Sequence, residues 1–551
     1  MPSSTLTRRL LLGSAGVVAI GTATLAMGPE EADAAAPASG PYFRHGVASG
    51  DPLPDGVLLW TRVTPDAVSL PGSGRGPNVT VTWEVATDAT FARVVAKGTV
   101  ATGAARDHTV KAEPRGLAPA TTYFYRFRVN RNVSPIGRTR TAPAPGAAVT
   151  GLRFGVVSCA NLQAGFFSPY RHLAARGDLD LVLHLGDYLY EYAPGEYQAR
   201  DVVVRPHDPP TEMVVLQDYR RRHAQYKSDT DLQALHAAAP FVVTWDDHEF
   251  ANDAWSGGAE NHTETTEGSW DARRAASQQA YSEWMPVRYT SGGILYRRLQ
   301  FGSLASISML DLRTYRSQQA PSVVDQGISS PDRTITGDAQ LAWLLDGLTA
   351  GVAQWKLIGN PVMITPIRFP STLNSGEIGA MHELLGTTTI DGVPYNVDQW
   401  DGYTADRGEV LKHLRDNAVT DTVFLTGDIH SGWACDVPAD PLTYPTNGAS
   451  VATELVCTSV TSDNLDDILR VPPRTGSLAV ETAFRASNPH VKYLDFDTHG
   501  YSVLNVTPAG LRMDWYAISD RTVRAATSAV TASWQVIAGT QRVTAAVGAA
   551  Q

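Results

Sequence analysis

The sequence predicts an α/β protein in which a small all-β domain, residues 36–145, precedes a larger domain, residues 150–551. In the first part, residues 79–85 and 121–129 show the alternation and the β-branched and aromatic content that are typical of strands. The run Thr141-Ala-Pro-Ala-Pro has the composition of a linker, and beyond it apolar strand patterns alternate with helical patterns. These observations predict a β-sandwich followed by an α/β unit.

Residues 117–125 indicate which kind of sandwich the first domain is. They place Tyr123 and Tyr125 after a proline turn, which resembles the tyrosine-bearing corner before a late strand in fibronectin type III or immunoglobulin-like folds. The alternative, an ordinary β-hairpin with a proline turn, stays open at this point.

The larger domain shows apolar strand patterns that alternate with helical ones. Near the C-terminus, further strands have the period of two of antiparallel pairs. Strands are predicted within the segments 153–159, 181–190, 241–249, 355–361 and 421–430, each of which ends in polar residues beyond its apolar run, and over residues 491–497 and 511–517. The predicted helices are residues 214–238, 271–284, 337–350 and 405–417.

Composition and charge exclude some classes of function. The chain has 551 residues, of which 43% are hydrophobic and 18% charged, so it can bury a large core and is not a disordered protein. The formal net charge of -11 argues against a nucleic-acid-binding footprint and against long-range attraction of an anionic substrate. Any affinity for phosphate is therefore expected to be local.

The N-terminus has the pattern of an export signal. Arg8-Arg9 precede an apolar run over residues 10–27 and then alanine-rich sequence, which predicts a signal peptide over residues 1–35. The twin arginine resembles a Tat signal, so the expected partner is the Tat export machinery and the expected location is extracellular. The alternatives are a Sec signal or a retained anchor. No other stretch is apolar and long enough to span a bilayer, so we expect no transmembrane segment in the mature chain.

Three cysteines are an odd number for a protein expected in an oxidising compartment. Cys435 and Cys457 are close enough in sequence to form a local disulfide, which leaves Cys159 unpaired. A thiol at a strand end beside carboxylates and histidines favours a thiolate metal ligand, with a plain buried cysteine as the alternative.

Ligand-type side chains follow several predicted strands directly. One apolar run breaks at Gly427 into Asp428 and His430, and another ends in Asp187, with Tyr190 three residues further on. Two metal ions held close together supply a hydroxide nucleophile from water, stabilise charge on phosphoryl oxygens and assist the leaving oxygen. Asp187 is the predicted bridging carboxylate. The sequence therefore predicts a metallohydrolase.

The predicted ligands divide into a soft set and a hard set. The soft set comprises Cys159, Tyr190 and His430. Thiolate together with phenolate favours ferric iron. The hard set comprises Asp247, Asn360 and Asp428. An all-oxygen site indicates calcium before magnesium, manganese or zinc.

Each assignment has a structural alternative. An Asp that follows Gly at a strand end, such as Asp187 or Asp428, is often only a helix cap or a turn residue. Asp246, His248 and Glu249 can form a buried hydrogen-bond network. His248 follows a predicted ligand, so we predict instead that it contacts phosphate or donates a proton to the leaving group.

A set of motifs that spans nearly the whole mature chain shares one resemblance. The motifs are Gly46-Val-Ala-Ser-Gly-Asp-Pro52, Leu58-Leu-Trp-Thr-Arg62, Ser158-Cys159, Gly186-Asp-Tyr-Leu-Tyr-Glu191, Trp245-Asp-Asp-His-Glu249, Asp311-Leu-Arg-Thr-Tyr-Arg316 and Gly427-Asp-Ile-His-Ser431. In this combination the chain resembles the PhoD family of alkaline phosphatases, within the calcineurin-like and purple-acid-phosphatase-like metallophosphoesterases. The resemblance implies a four-layer αββα metallophosphoesterase domain behind an immunoglobulin-like domain, with one iron and one or two calcium ions.

The resemblance also implies roles for single residues. Cys159 stands where the usual phosphoesterase set opens with an aspartate, and Tyr190 is implied to bind iron. Asp247 stands where the wider superfamily has the Asn of Gly-Asn-His-Glu, and Asp428 stands where it has the first His of Gly-His-x-His. Both departures place a carboxylate in the second site, which agrees with a hard cation there.

Four further residues are candidates for contact with the substrate. Asn252 is predicted to donate a hydrogen bond to a phosphate oxygen. Arg313 and Arg316 are predicted to neutralise phosphate locally, with a structural pair between Asp311 and Arg313 as the alternative. His499 lies in a C-terminal segment that resembles the family pattern, and it is predicted to reach the site.

The leading function is an exported metal-dependent phosphatase that acts on phosphate monoesters and on diesters. Secreted phospholipase D enzymes similar to this family are one alternative, with phosphatidylcholine as the substrate. A non-catalytic surface or binding protein with a structural metal site is the alternative from another class. Residues 522–551 are predicted either to close the pocket, which would favour small monoesters, or to fray.

Overall fold

The structure of the protein is a computed structural model that describes residues 42–197, 202–385 and 393–548. The predicted signal peptide, residues 1–35, lies outside the described residues and stays a prediction. Among the helices of the described ranges, none has the length and apolar content that crossing a membrane requires.

The N-terminal strands form two facing layers. The strands are β1 (Val47–Leu53), β2 (Gly56–Arg62), β3 (Val79–Ala86), β4 (Val94–Thr102), β5 (Thr109–Ala112), β6 (Thr122–Val129), β7 (Asn132–Val133) and β8 (Gly137–Arg140). One layer is a five-stranded sheet in the order β4-β3-β6-β7, with β8 paired to β6. The other layer contains β1, β2 and β5, and buried side chains such as Leu59, Val85 and Phe127 form the core between the layers. The all-β fold predicted for the start of the chain is confirmed.

Two large sheets make up the centre of the molecule. Their further strands are β9 (Leu152–Val157), β10 (Leu181–His184), β11 (Phe241–Val243), β12 (Arg297–Phe301), β13 (Ala305–Met309), β14 (Trp355–Asn360), β15 (Thr422–Thr426), β16 (Gly432–Val437), β17 (Ala452–Val456), β18 (Val491–Asp495), β19 (Gly500–Val506), β20 (Gly510–Ile518), β21 (Ser528–Ile537) and β22 (Val543–Ala545). The ten-stranded sheet has the order β22-β21-β20-β19-β9-β10-β11-β1-β2-β5, and the seven-stranded sheet has the order β12-β13-β14-β15-β17-β16-β18.

Helices cover the outer faces of both sheets. They are α1 (Ser168–Arg176), α2 (Leu216–Lys227), α3 (Thr230–Ala238), α4 (Glu264–Glu267), α5 (Trp270–Trp284), α6 (Asp338–Ala350), α7 (Ser375–Leu385), α8 (Thr404–Asp416), α9 (Tyr444–Asn447), α10 (Leu465–Leu469) and α11 (Ser477–Ser487). Leu173 of α1 and Leu235 of α3 pack on the ten-stranded sheet, and Leu344 of α6 and Leu411 of α8 pack on the seven-stranded sheet. Apolar side chains of both sheets, such as Leu183 and Leu357, fill the layer between them. The four-layer αββα architecture is therefore confirmed.

Parallel pairing brings the loops that follow the strands to one edge. Strands β9, β10 and β11 are parallel neighbours, and so are β13, β14, β15 and β17. A bridge between Ser158 and Ser459 joins the ends of the two sheets at this edge. Because parallel strands place their carboxyl ends together, the loops after β9, β10, β11 and β15 meet there.

The first strand connects the N-terminal layers to the ten-stranded sheet. Strand β1 pairs in parallel with β11, with Gly50 opposite Phe241. One layer of the N-terminal region is thus continuous with the sheet of the larger region. The predicted domain boundary between residues 145 and 150 stays a prediction.

The local disulfide considered possible between Cys435 and Cys457 is not formed. Both cysteines are free and buried. Cys435 packs beside Trp433 on the outer face of its sheet, whereas the Cys457 sulfur lies between the sheets, 3.3 Å from Ser158 Oγ. The side chains point to opposite faces, which no disulfide can bridge.

The C-terminal stretch from residue 522 forms β21 and β22 at the edge of the ten-stranded sheet.

Lys227 at the end of α2 is a buried cation in the core below β10. Its ammonium group donates to Tyr188 Oη at 2.9 Å and to His236 Nε2 at 3.0 Å, and it lies 4.8 Å from the centre of the Trp60 ring. Within the described ranges no carboxylate pairs with it. Burial, with Lys111 nearby, lowers the pKa of Lys227 well below its usual value.

We expect this lysine to make folding stability depend on pH. Since the folded-state pKa lies below the usual 10.5, the contribution of Lys227 is fully present above pH 10.5 and is lost as the pH falls towards the folded-state pKa. The free energy of unfolding should therefore rise with pH across this window, by up to about 1.4 kcal/mol per pH unit from this group. Lys227→Met should flatten the rise, as measured by urea denaturation at several pH values.

The matched control is Lys412→Met. Lys412 pairs with Asp416 at the surface, and its side chain is 67% exposed. This change should leave the slope against pH as it is in the wild type. Equal slopes for wild type and Lys227→Met would show that the buried lysine stays charged in the folded protein.

Candidate metal centre

The predicted ligands lie in tight turns at the sheet edge. Four of them have positive φ angles in the left-handed region, which residues other than glycine rarely adopt. They are Cys159 (φ 59°), Asp187 (φ 54°), Asp428 (φ 63°) and His430 (φ 49°). Such backbone conformations cluster at functional sites, because the strain is held by surrounding interactions.

Gly186 lets the chain turn immediately after β10. Its φ is +107°, and a Cβ built there would lie 2.5 Å from Asp246 Cβ and 2.8 Å from the Asp246 backbone nitrogen. No side chain fits at that distance, so the loops of Asp187 and Asp246 pack against each other through a glycine.

The buried carboxylate of Glu249 ties the same two loops together. It accepts hydrogen bonds from three backbone amides, those of Asp187 at 3.0 Å, Tyr188 at 2.7 Å and Asp246 at 2.8 Å. Hydrogen bonds to a charged group are stronger than those between neutral groups. Glu249 therefore fixes the backbone on both sides of the candidate ligands.

The ligand-type atoms form three groups that share Asp187; one of them joins Asp187, Asp247 and His248, and the other two contain the predicted ligands. In the first of these two, atoms of Cys159, Asp187 and His430 lie within 4.8 Å of one another, and in the second, atoms of Asp187, Asp246, Asp247 and Asp428 do so. Asp187 belongs to both clusters, as the predicted bridging role requires. We call the first cluster the soft half of the centre and the second the hard half.

Tyr190 completes the soft half. Its hydroxyl lies 3.1 Å from Asp187 Oδ2 and 3.3 Å from His430 Nε2, and Ser462 Oγ is 2.6 Å away. The predicted soft ligands are thus brought together with the bridging carboxylate.

His430 is held with one ring nitrogen facing the soft half. Its Nδ1–H donates a hydrogen bond to the carbonyl oxygen of Asp463 at 2.7 Å, which leaves Nε2 directed at Tyr190. Burial lowers the pKa of His430 to about 3, so the imidazole is neutral. A neutral imidazole oriented by a backbone carbonyl is the usual form of a metal-binding histidine.

The remaining groups fit a bound cation for electrostatic reasons. Burial and the nearby Asp187 raise the pKa of the Cys159 thiol well above its usual value. Burial also raises the pKa of Asp187; His248 opposes this rise, and the Asp247 carboxylate adds to it. Burial raises the pKa of Asp428 as well, and the Asp246 carboxylate adds to that rise. Metal binding would reverse these shifts and release protons.

One buried oxygen directly favours a cation. Asp187 Oδ1 is buried and accepts no hydrogen bond from any residue that the structure describes. An unpaired buried carboxylate oxygen is costly, and a coordinated cation is the usual remedy. The residues present therefore fit a metal ion.

His248 lies beside the soft half and is oriented by a carboxylate. Its Nδ1 is 2.9 Å from Glu191, and its ring centre is 4.1 Å from that of Tyr190. Burial lowers the pKa of His248, but Asp247, Glu191 and Asp187 outweigh burial and raise it well above the usual value. The surrounding carboxylates therefore favour the protonated, hydrogen-bond-donating form of His248.

A cavity of about 290 Å³ opens over the centre. The residues that line it include Asp187, Asp247, His248, Asn252, Asp428 and His430. Asn252 is held by its backbone amide, which donates to Glu191 at 2.7 Å. A substrate phosphoryl group in this cavity would reach the metal ligands, the His248 imidazole and the Asn252 amide.

Arg313 does not line the cavity, which corrects its predicted role as a phosphate-binding residue. Its side chain is fully buried behind the carboxylates, with Asp246 Oδ1 at 2.5 Å from Nε and Asp398 Oδ1 at 3.0 Å from Nη1. Asp311 does contact Arg313, but through the backbone: its Oδ1 accepts from the Arg313 amide nitrogen at 3.2 Å, which agrees with the structural alternative. Arg316 is buried and contacts Asp398 as well.

Asn360 is placed elsewhere than predicted. Its carboxamide oxygen accepts from Trp400 Nε1 at 3.0 Å, and its nitrogen lies 3.2 Å from Thr426 Oγ1 and 3.4 Å from Glu454. Both ends of the amide are used in a buried network, so the structure gives Asn360 a structural role and corrects the ligand prediction.

His499 also does not line the cavity. It lies 2.9 Å from an oxygen of Asp467 and 3.0 Å from Ser459 Oγ. The structure therefore does not bring His499 to the cavity lining, and Asp467 and Ser459 are its partners instead.

Some contacts of the centre could not be read from the sequence. Glu249 does belong to a buried hydrogen-bond network, the alternative named for it, but its partners are backbone amides, which spacing does not show. Glu191 stood in a quoted motif, and its contact with His248 was not foreseen. Gln399, whose amide donates to Asp428, and Asp398 come from an irregular stretch with no periodic pattern. The sequence carried no signal for these two.

Comparison with known proteins gives consistent matches. Residues 154–515 match the family described as "PhoD-like phosphatase", and residues 29–143 match "PhoD-like phosphatase, N-terminal domain". Alkaline phosphatase D of Bacillus subtilis (strain 168) is 37% identical over 526 residues, which cover 93% of this chain and 84% of that protein. A solved structure titled "Structure of PhoD" is 35% identical, with a TM-score of 0.81 and 93% of each chain covered.

The packing at Gly186 leads to a direct prediction. Gly186→Ala should cost about 3 kcal/mol or more in stability, since the new Cβ meets the Asp246 backbone at a φ that alanine disfavours. The comparison is Gly177→Ala at the end of α1, where φ is +68° and the space is open. That change should cost only about 1 kcal/mol. Urea denaturation of both variants measures the difference, and equal losses would contradict the packing argument.

Proposed function

The chain belongs to the PhoD-like phosphatase family, and we propose that it is a secreted enzyme that hydrolyses phosphate monoesters and diesters with iron and calcium ions in this centre. Hydrolysis of phosphate esters follows from the family itself. The metals, the diesters and the export are the proposed part. The observation that carries the metal proposal is the convergence of the two ligand clusters on Asp187.

The donor atoms support a different cation in each half. The soft half offers a thiol, a phenol and an imidazole in addition to Asp187, a set that favours ferric iron. The hard half offers carboxylate oxygens, which favour calcium, in one or two sites. When bound, the two metals would lower the pKa of a water molecule and stabilise negative charge on the phosphoryl oxygens.

His248 is the residue best placed to act on the substrate itself. It lines the cavity, Glu191 fixes its ring, and the surrounding carboxylates favour its protonated form. It would donate a hydrogen bond to a phosphoryl oxygen or a proton to the leaving oxygen. Asn252 would position the phosphoryl group through its amide.

Export is proposed from the N-terminal sequence. Arg8-Arg9 and the apolar run that follows support passage through the Tat machinery, which transports folded proteins. A protein that carries buried metal ligands would then leave the cell with its centre already formed.

Turnover of three substrates tests the function. A phosphate monoester, a diester with the same leaving group, and phosphatidylcholine should be offered to one preparation loaded with iron and calcium. We expect cleavage of the monoester and of the diester, and loss of at least about 100-fold in Cys159→Ala, because a metal ligand is removed. Dominant release of choline from the lipid would make the protein a phospholipase D, and absence of turnover in the loaded protein would contradict an enzymatic function.

A visible absorption band tests the iron. Phenolate and thiolate bound to ferric iron should give a charge-transfer band that Tyr190→Phe or Cys159→Ala weakens or abolishes. Tyr188→Phe is the control, because the Tyr188 hydroxyl points away from the centre to His236 and Lys227. An active protein that is colourless and free of iron would refute the assignment.

A further inference from the structure

Arg313 is a buried arginine placed among the carboxylates of the hard half. Its Nε and Nη2 contact the two oxygens of Asp246 at 2.5 and 3.0 Å, and its Nη1 contacts Asp398 Oδ1 at 3.0 Å. The same Nη2 lies 3.4 Å from Asp428 Oδ1 and 3.6 Å from Asp247 Oδ1. The guanidinium is 0% exposed, so its charge is not screened by solvent.

Arg313 contacts the carboxylates of the hard half to different extents. Of the four that lie within 4.8 Å of one another, Asp246 is held by both of its oxygens, whereas Asp247 and Asp428 each touch the guanidinium with a single oxygen. Asp187 has no contact with Arg313 and keeps a buried oxygen without a hydrogen bond. Asp246 is thus the one carboxylate of the four whose two oxygens both contact the guanidinium. Asp247 also accepts from the backbone amides of His248 and Asp253, and Asp428 also accepts from the Gln399 amide, all of which are neutral donors.

We propose that Arg313 is a built-in cation of the hard half. It holds Asp246 away from calcium. It also lowers the number of calcium ions that the remaining carboxylates bind and the affinity with which they bind them. Arg313 is a positioning residue, since it contacts ligands and not the substrate. The inference rests on the calcium site proposed above.

The chemistry of arginine suits this role. A guanidinium stays protonated in proteins and offers donors in a rigid fork that matches a carboxylate. A metal ion dissociates, whereas Arg313 neutralises part of the buried negative charge at all times. It therefore keeps the carboxylates in place before any metal arrives.

The same charge opposes a divalent cation. A guanidinium in contact with Asp428 and Asp247 repels an ion that binds those two residues, and this repulsion is strong in a buried setting. Removing the charge should therefore make calcium bind more tightly. It should also destabilise the calcium-free protein, because Asp246 loses its charged partner and Asp398 keeps only Arg316.

Arg313→Met tests the proposal in the full-length, iron-loaded protein after calcium is removed by a chelator. Calorimetric titration with calcium chloride gives affinity and stoichiometry, and urea denaturation with and without calcium gives stability. We expect a calcium affinity about tenfold higher or more, an equal or higher number of ions bound, and a loss of stability that saturating calcium partly restores.

Arg316→Met is the matched control. Arg316 is equally buried in the same segment and contacts Asp398, but it touches none of the four carboxylates of the hard half in the described structure. This change should lower stability to the same extent with and without calcium and leave the affinity for calcium within about twofold. A rise in affinity confined to Arg313→Met would separate the proposed role from the general cost of removing a buried arginine.

Two results would overturn the proposal. Weaker calcium binding by Arg313→Met would show that the arginine only holds the ligands in position, and unchanged binding would show a purely structural role. If Arg313→Met does not fold, Arg313→Lys decides, because it keeps the charge but loses the fork. It should leave affinity within a few-fold of wild type, and a tenfold rise would contradict the charge argument.

Titration does not depend on turnover, so the two proposals fail in different ways. A wild-type protein that hydrolyses a phosphate monoester but binds no calcium would overturn this inference and leave the phosphatase in place. A protein that binds calcium as expected but has no turnover would overturn the proposed function and leave the role of Arg313 intact.

Discussion

The structure depends most on one carboxylate, that of Glu249. Its two oxygens accept the backbone amides of Asp187, Tyr188 and Asp246, which belong to loops after neighbouring strands. Without these hydrogen bonds the loops could relax, because Asp187 holds a left-handed backbone conformation. Gly186 adds a second constraint, since its close packing against Asp246 leaves room for only one arrangement. The packed sheets supply the platform, and Glu249 converts it into a fixed geometry for ligands.

Such a geometry concentrates negative charge in a buried place. Burial of charged groups is costly, and it raises the pKa values of Asp187 and Asp428, with repulsion from neighbouring carboxylates adding to the rise. Stability and function are therefore linked through the same groups. Cations, whether bound from solution or built into the chain, remove the repulsion and prepare the site for an anionic phosphate. The overall acidic charge of the protein does not conflict with such a substrate.

Sequence reasoning succeeded where a pattern is local. Apolar runs predicted β9, β14 and β15 nearly to their ends, and glycine followed by an acidic residue marked the turns of Asp187 and Asp428. It failed where a role depends on distant partners. Asn360 ends a strand as predicted, but Trp400 occupies its oxygen, and Arg313 stands in a suggestive motif while the fold buries it. Gln399 reaches Asp428 from an irregular segment, so no periodicity could reveal it.

The pairing of β1 with β11 has a consequence for the way the chain is made. Strand β1 leaves the ribosome early, but its neighbour in the sheet, around Phe241, is synthesised much later. Until then an apolar strand has an unsatisfied edge, which is prone to pair with another chain. Strand β1 must therefore stay unpaired or be shielded on that edge until β11 has been made. Strands β1 and β11 are far apart in sequence, so we expect their pairing to be the slow step of folding. The N-terminal region is therefore part of the central sheet and not a separable module, because removing it would leave β11 without its neighbour β1.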